Sequence, residues 1–87
     1  MNIRKSIFRA IEEFNKYRVP EIEARLIIFQ GESLLVEFTG SFCETCGFYD
    51  YFDDFRILLE DDYELKAEIK EIKEIPKGAI VEFIITG

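Results

Sequence analysis

The spacing of apolar residues switches between a helical and an extended pattern along this chain, and the order of those switches limits the fold more than any other feature. From Ile3 to Tyr17, the residues Ile3, Ile7, Ala10, Ile11, Phe14 and Tyr17 recur at three- and four-residue intervals and line one side of a helix. Arg9 with Glu13, and Glu12 with Lys16, fall at pairing distance on the opposite side. Pro20 pushes Val19 toward extended geometry, so the helix stops near Arg18. Ile22 to Gln30 and Ser33 to Thr39 are β-rich runs divided by Gln30-Gly31-Glu32-Ser33, where the glycine gives the backbone freedom of a hairpin turn.

After Gly40 a short loop, Ser41-Phe42-Cys43-Glu44-Thr45-Cys46-Gly47, leads into a second helical stretch in which Phe48, Tyr51, Phe52, Phe55, Leu58 and Leu59 share one face. Leu65 to Ile75 carries two patterns. Leu65, Ala67 and Ile69 alternate as in a strand, while Leu65, Ile69 and Ile72 also fit helical spacing. The turn Pro76-Lys77-Gly78 and the β-prone run Ala79 to Thr86 decide for a strand, paired as a hairpin with a bulge near Lys70. The order is α-β-β-α-β-β. It predicts a single two-layer α+β domain over residues 1–87, with two helices on one face of a four-stranded, mainly antiparallel sheet. No low-complexity tract, repeat or linker is visible along the chain.

Such a fold covers one sheet face. The other is expected to carry Ile27, Phe29, Leu35, Ile80 and Ile84 among Glu23, Arg25, Glu37 and Glu82, more apolar than a solvated face normally is, which suggests a partner. Alternatively, sheet twist and the long Glu and Arg stems cover that surface. Phe8 and Ile57, on the polar sides of their helices, raise the same question.

Charge narrows the function. The 87 residues hold 18 acidic and 11 basic side chains, a net −7, which argues against a nucleic-acid binder that must neutralise phosphates. The balance is uneven: residues 1–18 hold five basic and two acidic groups, net +3, and residues 48–64 hold one basic and seven acidic, net −6. Either the two helices attract one another, or Arg4, Lys5 and Arg9 meet the acidic helix of another subunit. Apolar runs such as Leu26 to Phe29 are far too short to span a bilayer, and Met1-Asn2-Ile3-Arg4-Lys5 opens no secretory signal, so a cytoplasmic, non-membrane protein is expected. The Glu-, Lys- and Ile-rich composition hints at a thermophile. With no histidine, a histidine-based enzyme is excluded. No carboxylate pair is marked as catalytic and no phosphate-cradling glycine loop is present, so the balance leans away from an enzyme.

Cys43 and Cys46 carry the most pointed chemistry. In a reducing compartment a CxxC reads as a metal-ligand or redox pair sooner than as a structural staple. Glu44, Asp50, Asp53 and Asp54 lie close in sequence and disfavour a bare thiolate, which argues for a pair neutralised by a cation. A closed tetrahedral site needs four ligands, and this chain offers two cysteines, so a twofold dimer is the simplest way to complete a zinc or iron-sulfur site.

The segment Val36-Glu37-Phe38-Thr39-Gly40-Ser41-Phe42-Cys43-Glu44-Thr45-Cys46, set after a helix and a hairpin and before a second helix, resembles the NifU-type iron-sulfur scaffold domain. The resemblance covers about half the chain, roughly Ile3 to Leu59, and implies a cluster held by Cys43 and Cys46 at a dimer interface, with Gly40 in the loop. Where that family has a proline and small hydroxyl residues after the second cysteine, this chain has Gly47-Phe48-Tyr49-Asp50. Its terminal hairpin, Leu65 to Thr86, is also longer.

Two other readings stand beside the scaffold. In one, the chain is a protein-interaction domain whose cysteines form a local disulfide or stay as free thiols, with no cofactor, and whose binding surface is the aromatic and acidic second helix: Tyr49, Asp50, Asp53, Asp54 and Ile57. In the other, the CxxC performs thiol-disulfide exchange, although the thioredoxin-like setting is a βαβ unit and here a hairpin precedes the motif.

Overall fold

The computed structural model of the chain describes residues 3–18, 22–40 and 48–86. Helix α1 (Ile3–Arg18) turns Ile7, Ala10, Ile11 and Phe14 into the interior. Ile3 and Tyr17, expected on the same stripe, lie in its terminal turns and are 39% and 69% exposed. The chain then forms strands β1 (Ile22–Gln30) and β2 (Ser33–Gly40), helix α2 (Phe48–Tyr63), and strands β3 (Ala67–Ile75) and β4 (Gly78–Ile85). The sheet order is β1-β2-β4-β3 and every neighbouring pair is antiparallel. This is the two-layer α+β arrangement that the order of apolar patterns predicts.

The core forms between the helices and the inner sheet face. Leu34, Val36 and Phe38 of β2 and Ala79, Val81, Phe83 and Ile85 of β4 alternate inward and meet Ile7, Phe14, Phe52, Phe55 and Leu59 from the helices. Phe38 sits at its centre, with ring centroids 5.7 Å from Phe14, 4.9 Å from Phe52, 5.8 Å from Phe55 and 6.4 Å from Phe83. Most of these contacts are edge-on, the arrangement aromatic quadrupoles favour.

The six elements repeat with an offset of 45 residues: α1 onto α2, β1 onto β3 and β2 onto β4, with equal lengths in each pair. The contacts repeat too. Ser33 pairs with Ile84 as Gly78 pairs with Thr39, and Gly40 N–H donates to the Lys77 carbonyl as Ile85 N–H donates to the Glu32 carbonyl. The molecule is therefore a fused pair of αββ units related by an approximate twofold axis through the β2–β4 contact, and that axis makes α1 and α2 antiparallel. The expectation of no repeat is thus corrected. Val36-Glu37-Phe38 and Val81-Glu82-Phe83 match, but the core elsewhere exchanges large for small, with Ala10 opposite Phe55 in the alignment, Ile22 opposite Ala67 and Leu34 opposite Ala79. Volume is kept by the whole core, so the individual positions lose their likeness.

Both edge strands carry a bulge. In β3 the register slips between Ile69 and Glu71, at the Lys70 position read from sequence. The extra residue brings Ile69 and Ile72, three apart, onto the same inner face, which resolves the mixed strand and helix spacing. In β1 the slip between Leu26 and Ile28 does the same for Leu26 and Phe29. This overturns the expectation for Phe29, which packs against the core under the Arg4 guanidinium at 5.4 Å, while Ile28 takes its place on the open face. Ile27 occupies the bulge itself and is 45% exposed.

Side chains finish the frame. Asn15 on α1 accepts from the Ala24 N–H at 2.7 Å and donates to the Ala24 carbonyl at 2.9 Å, occupying backbone groups of the edge strand β1. Glu64, after α2, takes a left-handed φ of 56°, and the turn lets Leu65 N–H reach the Leu59 carbonyl at 3.0 Å.

Candidate functional site

Cys43 and Cys46 lie outside the described residues. The chain's connectivity nevertheless gives their setting: they belong to the stretch joining Gly40, the last residue of the central strand β2, to Phe48, the first of α2. It is the connection between the two αββ units. Among the described residues no group of Cys, Asp and Glu is arranged to hold a metal ion, and no helix is long and apolar enough to cross a membrane.

Helix α2 places most of the predicted binding surface. Asp50 and Asp53 are exposed, Asp54 is half-buried, and Ile57 is 43% exposed on the same outward side, while Tyr51, Phe52, Phe55, Leu58 and Leu59 turn inward. The Tyr49 side chain lies outside the described residues. Arg56 bridges the acidic side, 3.4 Å from Asp53 and 3.9 Å from Glu60, which offsets part of the repulsion among neighbouring carboxylates. Among the described side chains of this aromatic segment, Tyr51, Phe52 and Phe55 turn to the core and Asp50 and Asp53 to solvent, as helical spacing requires.

Tyr63 closes α2 against α1. Its hydroxyl donates to the Glu13 carboxylate at 3.1 Å. Burial, the hydrogen bond to Glu13 and the negative charge of Glu13 and Asp62 together push its pKa above the ordinary 10.0, against a smaller opposing pull from Arg9. This phenol is a structural tie between the helices.

The open sheet face is a second surface. Leu35 and Ile80 occupy equivalent places in the two units and lie diagonally across β2 and β4, with Glu82 opposite Leu35 and Glu37 opposite Ile80. A shallow depression of about 240 Å³ is lined by Leu35, Ile80, Glu71, Lys73 and Glu82. Ser33 donates to Glu82 at 2.8 Å beside it, which fixes one carboxylate. Sequence reasoning named Ile27, Phe29, Leu35, Ile80 and Ile84 with Glu23, Arg25, Glu37 and Glu82 for this face; Phe29 packs inward instead, Ile27 sits in the bulge, and Glu71 and Lys73 were missed. Their signal was the predicted bulge: one extra residue at Lys70 turns both to the open side.

No protein-family model, curated protein or solved structure matches the chain.

Proposed function

We propose that this chain is a non-enzymatic binding or scaffold module of the cytoplasm that holds a metal ion or iron-sulfur cluster on Cys43 and Cys46, completed by the same pair from a second copy. The observation that carries it is the donor set. Two cysteines and no histidine leave one thiolate pair per chain, and a closed tetrahedral centre needs four donors. The pair's position in the link between the αββ units, at the start of an acidic helix, supports the reading, because clustered carboxylates favour thiols whose charge a cation neutralises. When bound, such a centre supplies charge neutralisation and, as a cluster, electron storage. The chain's own part is to supply the thiolates and the surface around them.

Anaerobic purification followed by metal analysis and an absorption spectrum tests this. The expected result is a bound metal or a thiolate-to-iron absorption that disappears in the C43S/C46S variant. A metal-free chain, or one whose metal survives that double substitution, overturns it.

A second reading, an interaction domain working through α2, is favoured by the exposure of Ile57 beside Asp50 and Asp53 on a helix where Tyr51, Phe52, Phe55, Leu58 and Leu59 point inward. It predicts that the C43S/C46S variant keeps all binding and that loss follows change on α2.

A further inference from the structure

The twofold relation between the units makes their outer helix surfaces comparable position by position, and the comparison shows an inversion of charge. At the 45-residue offset, Lys5 corresponds to Asp50, Arg9 to Asp54 and Lys16 to Asp61. All except the half-buried Asp54 are exposed. Among the described residues, each helix shows a large apolar side chain on its outer side, Phe8 at 54% exposure on α1 and Ile57 at 43% on α2. Phe8 lies one turn from Arg4, Lys5 and Glu12, and Ile57 one turn from Asp53, Asp54, Glu60 and Asp61. One αββ frame thus presents a basic helix and an acidic helix of like shape, side by side and antiparallel.

The geometry points to a second copy of this chain as the partner, docked helix layer to helix layer with α1 of each protomer on α2 of the other. A twofold axis running along the helices performs this exchange. It sets both basic helices against both acidic helices in a closed, self-complementary contact, and brings Phe8 and Ile57 out of water. An axis across the helices would place α1 on α1 and α2 on α2, like charge on like. The favoured axis also leaves both α2 starts at one end of the dimer, the end where the connections carrying Cys43 and Cys46 enter. The inference therefore deepens the two-copy centre proposed above, and it needs no metal to hold the copies together.

The experiment uses the full chain, with light scattering on a sizing column as the readout, in two variants: R9E/K16E, which takes residues 1–18 from +3 to −1, and D50K/D53K/E60K/D61K, which takes residues 48–64 from −6 to +2. Circular dichroism confirms that each is folded. The wild type is expected to run as a dimer that weakens as salt rises from about 0.05 to 0.5 M, because exposed charges are screened over that range. Each variant alone is expected to run as a monomer, because both of its helices then carry the same sign. An equimolar mixture is expected to recover a dimer, since the acidic α1 of one variant meets the basic α2 of the other, an outcome misfolding cannot produce. A monomeric wild type, a dimer in either variant alone, or a mixture that stays monomeric overturns the inference. The C43S/C46S variant separates it from the thiolate reading. A metal-free dimer there keeps the helix contact intact, whereas dissociation shows that the thiols hold the copies together and ends this inference.

Discussion

Val36 and Val81 pair directly across the two central strands, both fully buried, and each holds the same place in its own αββ unit. The approximate twofold axis passes between them, so each departure from symmetry around it can be attributed to a particular pair of residues. Asn15 is one such departure: its counterpart at the offset is Glu60, whose carboxylate has no donor to offer the β3 edge.

Gly78 opens β4 opposite Thr39 of β2. A Cβ built there would lie 1.8 Å from the Phe38 carbonyl oxygen, whereas Gly31, at φ 62°, has open space around it. G31A is expected to cost about 1 kcal/mol through its left-handed backbone. G78A should cost clearly more, because backbone must move. Urea unfolding of the two variants checks this, and equal losses would contradict the close approach.

Removing the Asn15 amide in N15A leaves the outward N–H and carbonyl of Ala24 without their partner. A loss of about 1–3 kcal/mol is expected, together with faster exchange of the Ala24 amide hydrogen and a greater tendency to associate through the β1 edge. Unchanged exchange at Ala24 would show that the amide does not protect this edge.

Glu64 holds a left-handed conformation that glycine adopts without a Cβ penalty. E64G should stabilise the fold by about 1 kcal/mol, read as a higher thermal midpoint. A lower midpoint would mean that the Glu64 side chain contributes more than its backbone conformation costs.

Tyr63 makes stability depend on alkaline pH. Its folded-state pKa lies above the unfolded value, so folding favours the neutral phenol. That contribution is fully present below about pH 10 and is lost as the pH rises through the folded-state value. Unfolding of the wild type and Y63F at pH 8 and pH 11 should show the wild type losing more stability than the variant. Equal losses would contradict the tie to Glu13.

Much of this fold was legible because its elements alternate in apolar period. Ile7, Ala10 and Phe14 mark α1, the alternation of Leu34, Val36 and Phe38 marks β2, and the three-residue step from Ile69 to Ile72 marks the bulge at Lys70. The β1 bulge was hidden. Leu26, Ile27, Ile28 and Phe29 are all apolar, so no polar residue reveals where the register slips, and Phe29 was assigned to the wrong face. The duplication was hidden by compensating core volumes, and it needed the register of β2 on β4 to bring it out. Of the candidate surface, Asp50, Asp53 and Ile57 were readable from helical spacing. Glu71 and Lys73 required carrying the bulge through to its consequence for the open face.

The thiolate reading makes a stoichiometric demand that follows from its donor count. Native mass spectrometry of the anaerobically purified chain should show two chains carrying one tetrathiolate-bound centre, absent from the C43S/C46S variant. A fully loaded centre on each single chain, or chains without any metal, would contradict it.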